Sequence, residues 1–217
     1  PNVESNIIMY VDKITKHSDI ANGRGMSVYD NEWAAQQHHN AYKYFYEFIE
    51  QERFERILEI GTAMGGFTHF LNFACTDLGL ETEILSYDIH ERKEYSRLTD
   101  KGVDVCIENM FSSDFKSISD HAYNFITKPG KVLVLCDGGN KINEFNCLSS
   151  FIKSGDFIMA HDFAMDKDYF EKQINEKIWL WHEISAKDIE DSMVSEGLEF
   201  YNQDTFSQVV WACCKKR

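Results

Sequence analysis

Residues 56–78 pass from a short apolar run, Arg56-Ile57-Leu58-Glu59-Ile60, through the turn Gly61-Thr62-Ala63-Met64-Gly65-Gly66, into a segment whose Phe70, Leu71 and Ala74 recur at helical spacing. Strand, glycine turn and helix in that order are the opening unit of a parallel α/β sheet. Glycine bends there without a Cβ penalty and lets the backbone approach a ligand at the start of a helix. The spacing is Glu-x-Gly-x-x-x-Gly, which departs from the Gly-x-Gly-x-x-Gly turn that grips a pyrophosphate.

The unit repeats downstream. Residues 83–88, 103–107, 131–136 and 157–160 read as four further strands, the run Lys-Val-Leu-Val-Leu-Cys at 131–136 being continuously apolar, as a strand buried on both faces requires. Helices are expected at 92–101, 114–127, 143–153 and 186–196, with a loop through Asp168. Strands at 198–201 and 208–214, joined by a short turn around Asp204, close the chain as an antiparallel hairpin. The fold predicted is Rossmann-like: α/β, doubly wound, a mostly parallel seven-stranded sheet with helices on both faces.

Ahead of the sheet, residues 7–16 read as a short helix followed by a loop carrying Gly23 and Gly25. The apolar positions Trp33, Ala34, Tyr42, Phe45, Tyr46, Phe48 and Ile49 read as one amphipathic helix over 31–52. Residues 1–53 are thus expected to form a helical cap on a domain spanning 54–217, the whole being one globular unit, as 217 residues suit.

Charge and cysteine content narrow the partners. With 22 basic and 36 acidic residues the net charge is −14, which repels a phosphate backbone, so no nucleic acid is expected. The longest apolar runs fall far short of the roughly 20 residues that span a bilayer. No basic stretch leads into an apolar segment at the start, so neither a membrane span nor a secretory signal is expected. The six cysteines include no Cys-x-x-Cys pair and fall mostly in strand-like segments, which suits core packing in a reducing cytoplasm.

Asp88 ends the second strand of the sheet, where a carboxylate can accept both hydroxyls of a ribose. Together with the turn after Ile60 it points to a nucleoside cofactor. On these residues the chain resembles the class I S-adenosylmethionine-dependent methyltransferases over residues 54–214. The resemblance implies that Gly61 and Gly65 border the methionine part, Asp88 holds the ribose, and Glu108 or Asn109 lies beside the adenine. Glu59 orients the turn or reaches the methionine amino group, and Thr62, Ala63, Ile89 and Asp137 complete the cofactor contacts.

A second constellation follows the fourth and fifth strands: Asp137-Gly138-Gly139-Asn140-Lys141 and His161-Asp162. Adjacent parallel strands bring Asp137, His161 and Asp162 toward one point, and two carboxylates with a third ligand suit a hard divalent cation such as magnesium. The arrangement is similar to the metal-dependent O-methyltransferases, nearest the cephalosporin hydroxylase and macrolide-sugar methyltransferase group, with His161 standing where that group has an acid. Imidazole at that position shifts the preference toward manganese, iron or zinc. The macrolide-sugar enzymes carry a histidine three residues after the first aspartate, where this chain has Asn140. Lys141, His161 and His182 are the substitutes for the base, Lys141 being chosen because catechol methyltransferases use a lysine near this point. A solvated surface role is the alternative for Lys141, and a metal-free polar rim is the alternative for the acidic set.

Trp33 and Gln37 line the pocket or serve the core. Trp179, Trp181 and Tyr169 form a wall for the acceptor or pack its cover. The neighbouring His38 and His39, read on that helix, are expected to point in different directions and to make no metal site. The function expected is transfer of a methyl group from S-adenosylmethionine to a hydroxyl of a small molecule, a sugar or natural product, with a divalent metal, magnesium or manganese, as helper. A homo-oligomer is expected because resembling groups are often multimeric. The alternatives are a metal-independent methyltransferase acting on nitrogen, carbon or a protein side chain, a catalytically inactive cofactor-binding subunit, and an NAD-linked oxidoreductase.

Overall fold

In the computed structural model the described residues are 3–19 and 24–217. The chain begins with α1 (Val3–Asp12), β1 (Ile14–Asp19), β2 (Arg24–Tyr29), β3 (Trp33–Ala35) and α2 (Ala41–Glu52). The sheet-forming part opens with β4 (Arg56–Ile60), α3 (Gly66–Asp77), β5 (Glu83–Asp88), α4 (Tyr95–Thr99), β6 (Asp104–Ile107), α5 (Asp120–Thr127), β7 (Val132–Cys136), α6 (Lys141–Leu148) and β8 (Phe157–Ala160). It ends with β9 (Phe163–Ala164), α7 (Lys167–Tyr169), β10 (Ile184–Ser185), α8 (Ala186–Ser195), β11 (Leu198–Phe200), α9 (Gln203–Phe206) and β12 (Ala212–Lys216).

Seven strands form the central sheet in the order β11-β12-β8-β7-β4-β5-β6. The five from β8 to β6 are parallel; β12 runs antiparallel between β8 and β11. The alternation within a strand explains the two covered faces. In β7, Leu133 and Leu135 join a core with Tyr42 and Phe45 of α2 and Phe70 of α3, while Val132, Val134 and Cys136 join a second core with Phe125 of α5 and Phe145 of α6. All five β7 residues are buried.

Register places the site. Ile60 pairs with both Tyr87 and Cys136, and Cys136 pairs with Ala160. The residues that follow, Gly61, Asp88, Asp137 and His161, therefore leave four adjacent strands at one edge, where parallel sheets collect ligands.

The N-terminal segment differs from an all-helical cap. The first helix covers Val3–Asp12, and residues 14–19 form β1, which pairs with β2. The single helix expected over 31–52 is a helix only from Ala41; before it, β3 pairs with β2, with Tyr29 opposite Trp33. Asp30 and Asn31 both adopt positive φ (52° and 58°), a conformation these residue types tolerate and hairpin turns need. Trp33, Ala35 and Gln37 are buried at alternate positions, a period of two concealed among residues that also satisfied helical spacing. Gly25 lies in β2, whereas Gly23 lies outside the described residues.

The closing hairpin also differs in its link. Residues 203–209 are helical turns, and the last strand begins at Ala212. The Gln203 side chain holds this bend, its amide donating to Trp211 O (2.8 Å) and its carbonyl accepting from Cys213 N (2.9 Å).

Candidate active site

At the carboxyl edge of β4, β5, β7 and β8 lies a cleft of about 600 Å³. Its first wall is the turn after β4. Gly61 has φ +93°, and a Cβ there would run into the carbonyl oxygen of Asp137, so the turn and the β7 loop touch backbone to backbone. Gly66 opens α3 against the carbonyl of Ala34, where a side chain would likewise collide. The hairpin β2–β3 thus closes directly onto the turn.

Beneath the turn, Glu59 is buried. Thr68 Oγ1 and Ser86 Oγ each donate to its Oε2 at 2.5 Å, and Thr62 Oγ1 lies 2.6 Å from Ser86 Oγ. Burial pushes the Glu59 carboxyl up to about 7, the two hydroxyl bonds opposing the shift in part. Glu59 anchors the turn from behind and does not line the cleft; Gly65 also lies outside the lining. Gly61, Thr62 and Ala63 are in it.

Asp88 faces the same hollow. The Ala63 amide donates to its Oδ2 at 2.7 Å and the His90 amide to its Oδ1 at 2.9 Å. Each oxygen keeps a second lone pair for a ribose hydroxyl. Beyond it, Ile89 leaves 64% of its surface exposed at the cleft, and Met110 and Phe111 face the same space. Exposed aliphatic surface beside Glu108 and Asn109 is the chemistry that an adenine ring requires: apolar contact for the faces, polar groups for the edge. These groups fit S-adenosylmethionine.

The other end of the cleft is charged. Asp137, His161 and Asp162 bring ligand atoms within 4.8 Å of one another, the convergence expected from the strand order. Gln37 Nε2 donates to Asp137 Oδ2 (2.8 Å), and His161 Nδ1 lies 3.0 Å from Asp137 Oδ1. Trp179 Nε1 donates to Asp162 Oδ1 (2.6 Å). Asp162 sits at φ 57°, a conformation rare for a residue with a side chain and held here by its partners.

Lys141 is buried, not solvated. Its Nζ lies 2.7 Å from Glu183 Oε2, 3.0 Å from Asp162 Oδ2 and 3.6 Å from Asp137 Oδ1, and donates to Gly138 O at 3.1 Å. Burial alone would lower its pKa, but Asp137, Asp162 and Glu183 outweigh burial and hold it well above the ordinary lysine value. A protonated amine has no lone pair, so Lys141 is unsuited to the base role that the sequence suggested. For His161, burial is likewise outweighed by Asp137 and Asp162, and its pKa is raised. Asp162 is lowered, burial being overcome by His161 and Lys141.

A divalent ion does not fit this arrangement. The imidazole nitrogen that faces Asp137 bonds to a carboxylate, which only accepts, so Nδ1 carries the proton and has no lone pair for a metal. His161 Nε2 is buried without a partner, and three of the four aspartate oxygens accept one N–H bond each, so what fills the place of an ion is the Lys141 ammonium, 3.6 Å from Asp137 Oδ1. The fourth, Asp162 Oδ2, faces the Lys141 ammonium.

Other expected residues separate. His182 stacks on Phe170 at 5.0 Å, and neither it nor Tyr169 lines the cleft, whereas Trp179 and Trp181 do. Trp33 stacks on His69 at 4.5 Å and serves the core, while Gln37 reaches the site. Glu183 and Glu144 were not anticipated. The spacing Trp179-x-Trp181-x-Glu183, all in the lining, signals an extended stretch with one face to the cleft. Glu144 accepts from Gly138 N (3.1 Å) and Asn140 N (2.9 Å), fixing the loop after β7; burial lifts its carboxyl to about 7 despite those bonds.

A doubly wound sheet with β12 inserted antiparallel, bearing a glycine turn and Asp88 over one cleft, defines a class I methyltransferase. Residues 34–207 match the family model "Rhamnosyl O-methyltransferase/CmcI", and the chain belongs to that family. It is an S-adenosylmethionine-dependent methyltransferase of the O-methylating, CmcI-like type.

Among solved structures, CmcI-N160 in its apo form superposes with a TM-score of 0.58 at 11% identity, over 84% of this chain and 72% of that one. CmcI-D160 with Mg and SAM gives 0.55 at 10% identity, over 82% and 71%. A putative caffeoyl-CoA O-methyltransferase from Staphylococcus aureus gives 0.51 at 12% identity, over 100% and 93%. At these identities the likeness carries the fold. No curated protein matches the chain. No helix among the described residues is long and apolar enough to cross a membrane.

Proposed function

We propose that the protein methylates one hydroxyl oxygen of a small, non-nucleic-acid acceptor, a sugar or natural product, in the space between Asp137, Trp181 and Glu183. The observation that carries this reading is the position of Asp137. Its backbone packs on Gly61 of the glycine turn, while its carboxylate, held by Gln37 and His161, shares the cleft with Trp179 and Trp181.

S-adenosylmethionine supplies an electrophilic methyl group on a positively charged sulfur. An acceptor oxygen attacks that carbon in line, the carbon–sulfur bond breaks with its electron pair passing to sulfur, and the hydroxyl proton passes to the Asp137 carboxylate. Holding nucleophile and methyl group in line is the larger part of the acceleration. Trp179 and Trp181, 5.4 Å apart and edge to face, offer the apolar wall against which a ring is held. The divalent ion expected at Asp137, His161 and Asp162 has no part in this reading. Six free thiols, four of them among β7, α6 and β12, suit a reducing cytoplasm.

The test is calorimetric titration of S-adenosylhomocysteine into the protein, followed by incubation with S-adenosylmethionine and a panel of hydroxylated sugars and phenols. Binding, and a product one methylene heavier at oxygen, is expected. Absence of any binding by the folded protein, or methylation at nitrogen or carbon alone, overturns the reading.

A further inference from the structure

The four acidic and imidazole groups at the deep end of the cleft surround a cation that the chain supplies itself. From the placement of Lys141 we propose that its ammonium is the resident cation of the acceptor site and that it excludes divalent metal ions. The proposal rests on the methyltransferase reading above and says which charge faces the acceptor oxygen.

Three features carry it. Lys141 touches three carboxylates from three parts of the chain: Asp137 after β7, Asp162 after β8, and Glu183 before β10. Its side chain is 6% exposed and Asp162 8%, so the contact with Asp162 is sheltered from solvent screening. Secondly, Lys141 is the first residue of α6, where a positive charge opposes the helix dipole. A lysine directed inward from that position is held by its partners, not by the helix. Thirdly, the ammonium lies between the two aspartates of the cluster, 3.0 Å from Asp162 Oδ2 and 3.6 Å from Asp137 Oδ1, where an ion joining them would sit.

The difference has a chemical consequence for the acceptor. A divalent ion of this kind gains most from two neighbouring oxygens of one ligand, and so favours vicinal diols and catechols. An ammonium is a point charge; with its three N–H bonds directed to Gly138 O, Asp162 and Glu183, Lys141 acts on a single developing oxyanion through its charge and without chelation. The acceptor class inferred is therefore any alcohol or phenol with one hydroxyl at the site, with no requirement for an adjacent one. The pair also explains why the cluster tolerates His161: with Lys141 present the imidazole has only to orient Asp137.

The test is a titration of Mn²⁺ into S-adenosylhomocysteine-loaded protein, with free Mn²⁺ followed by electron paramagnetic resonance. The wild type is expected to leave the free-ion signal undiminished into the millimolar range. Lys141→Ala, which frees the space between three carboxylates, is expected to take up one Mn²⁺ per chain in the micromolar range and to melt at a higher temperature with the ion than without it. Lys141→Arg, retaining the charge, is expected to bind none. Micromolar Mn²⁺ binding by the wild type overturns the proposal, as does a Lys141→Ala protein that still binds S-adenosylhomocysteine and takes up no ion. Should Lys141→Ala not fold, the wild-type titration decides alone. The cofactor titration separates the two readings: S-adenosylhomocysteine binding tests the methyltransferase assignment, and Mn²⁺ binding tests Lys141.

Discussion

The side-chain amide of Gln37 donates to Asp137 Oδ2 at 2.8 Å, tying the segment before α2 to the end of the central strand β7 across 100 residues of sequence. The amide cannot flip, because Trp211 Nε1 donates to its oxygen at 2.9 Å. Gln37 therefore sets the direction of the carboxylate assigned to receive the acceptor proton. Replacement by leucine keeps the volume and removes one bond to a charged group, about 1.5–3 kcal/mol. The expected outcome is a fall in kcat of roughly 10- to 100-fold, with S-adenosylhomocysteine affinity nearly unchanged. Equal losses in cofactor binding and turnover would show that Gln37 supports the turn rather than the carboxylate.

Asp88 presents a different contrast. Its two oxygens each hold one backbone amide and each retain a lone pair facing the cleft. Asp88→Asn keeps the shape but replaces one acceptor by a donor and removes the charge. Loss of a charge-assisted bond to a ribose hydroxyl costs about 1.5–3 kcal/mol. S-adenosylhomocysteine binding measured by calorimetry is expected to weaken about 10- to 100-fold, while Mn²⁺ binding is left as in the wild type.

The sheet was legible because its signals are local and strong. The run at 132–136 is apolar throughout, as a central strand must be, and the glycine turn and Asp88 fall where strands end. The convergence of Asp137 with His161 and Asp162 followed from parallel neighbours alone. What was not legible depended on long-range packing. Residues 33–37 satisfy helical and strand spacing alike, and the buried alternation of Trp33, Ala35 and Gln37 is decided by the hairpin partner β2 and by Gly66 pressed on Ala34. Sequence offers Lys141 as the base, with a solvated role as its alternative; its burial as a paired ammonium depends on Glu183, 42 residues away. The direction of a single long side chain is set by such distant partners, and no spacing rule reports it.

Glu59 makes one part of the stability depend on pH. Its carboxyl is held at about 7 in the folded protein against 4.5 for the ordinary group, so between those values the folded state binds the extra proton. Stability from this group is therefore present in acid and falls as pH rises from 4.5 to about 7, by a total of about 2–4 kcal/mol. Glu59→Gln removes the slope. Urea unfolding at a series of pH values is expected to give a wild type that loses ground to Glu59→Gln steadily up to neutrality, with no further separation above it. Parallel curves for the two proteins would place the Glu59 charge in contact with solvent or with a hidden partner.

His69 contributes with the opposite sign over an overlapping range. It projects from α3 against the N-terminal segment, its ring stacked on Trp33 at 4.5 Å and its Nδ1 bonded to the Tyr10 hydroxyl at 3.0 Å. Burial first, then the nearby charges of Lys101 and Arg97, push its pKa down to about 4 from 6.5. The unfolded chain therefore takes up the proton first, and stability present above 6.5 is lost as pH falls toward 4. The ring is partly open to solvent, so the loss is discounted to about 1–2 kcal/mol. His69→Phe preserves the stacking and cannot titrate. Its difference from wild type in melting temperature is expected to grow in favour of the variant as pH drops from 7 to 4, the reverse of the Glu59→Gln difference. Because the two slopes oppose one another between 4.5 and 6.5, the wild type alone shows a smaller net change from this pair than Glu59 alone would give. The double variant is expected to track the sum of the singles, since Glu59 lies behind the turn and His69 faces the hairpin, with no contact between them.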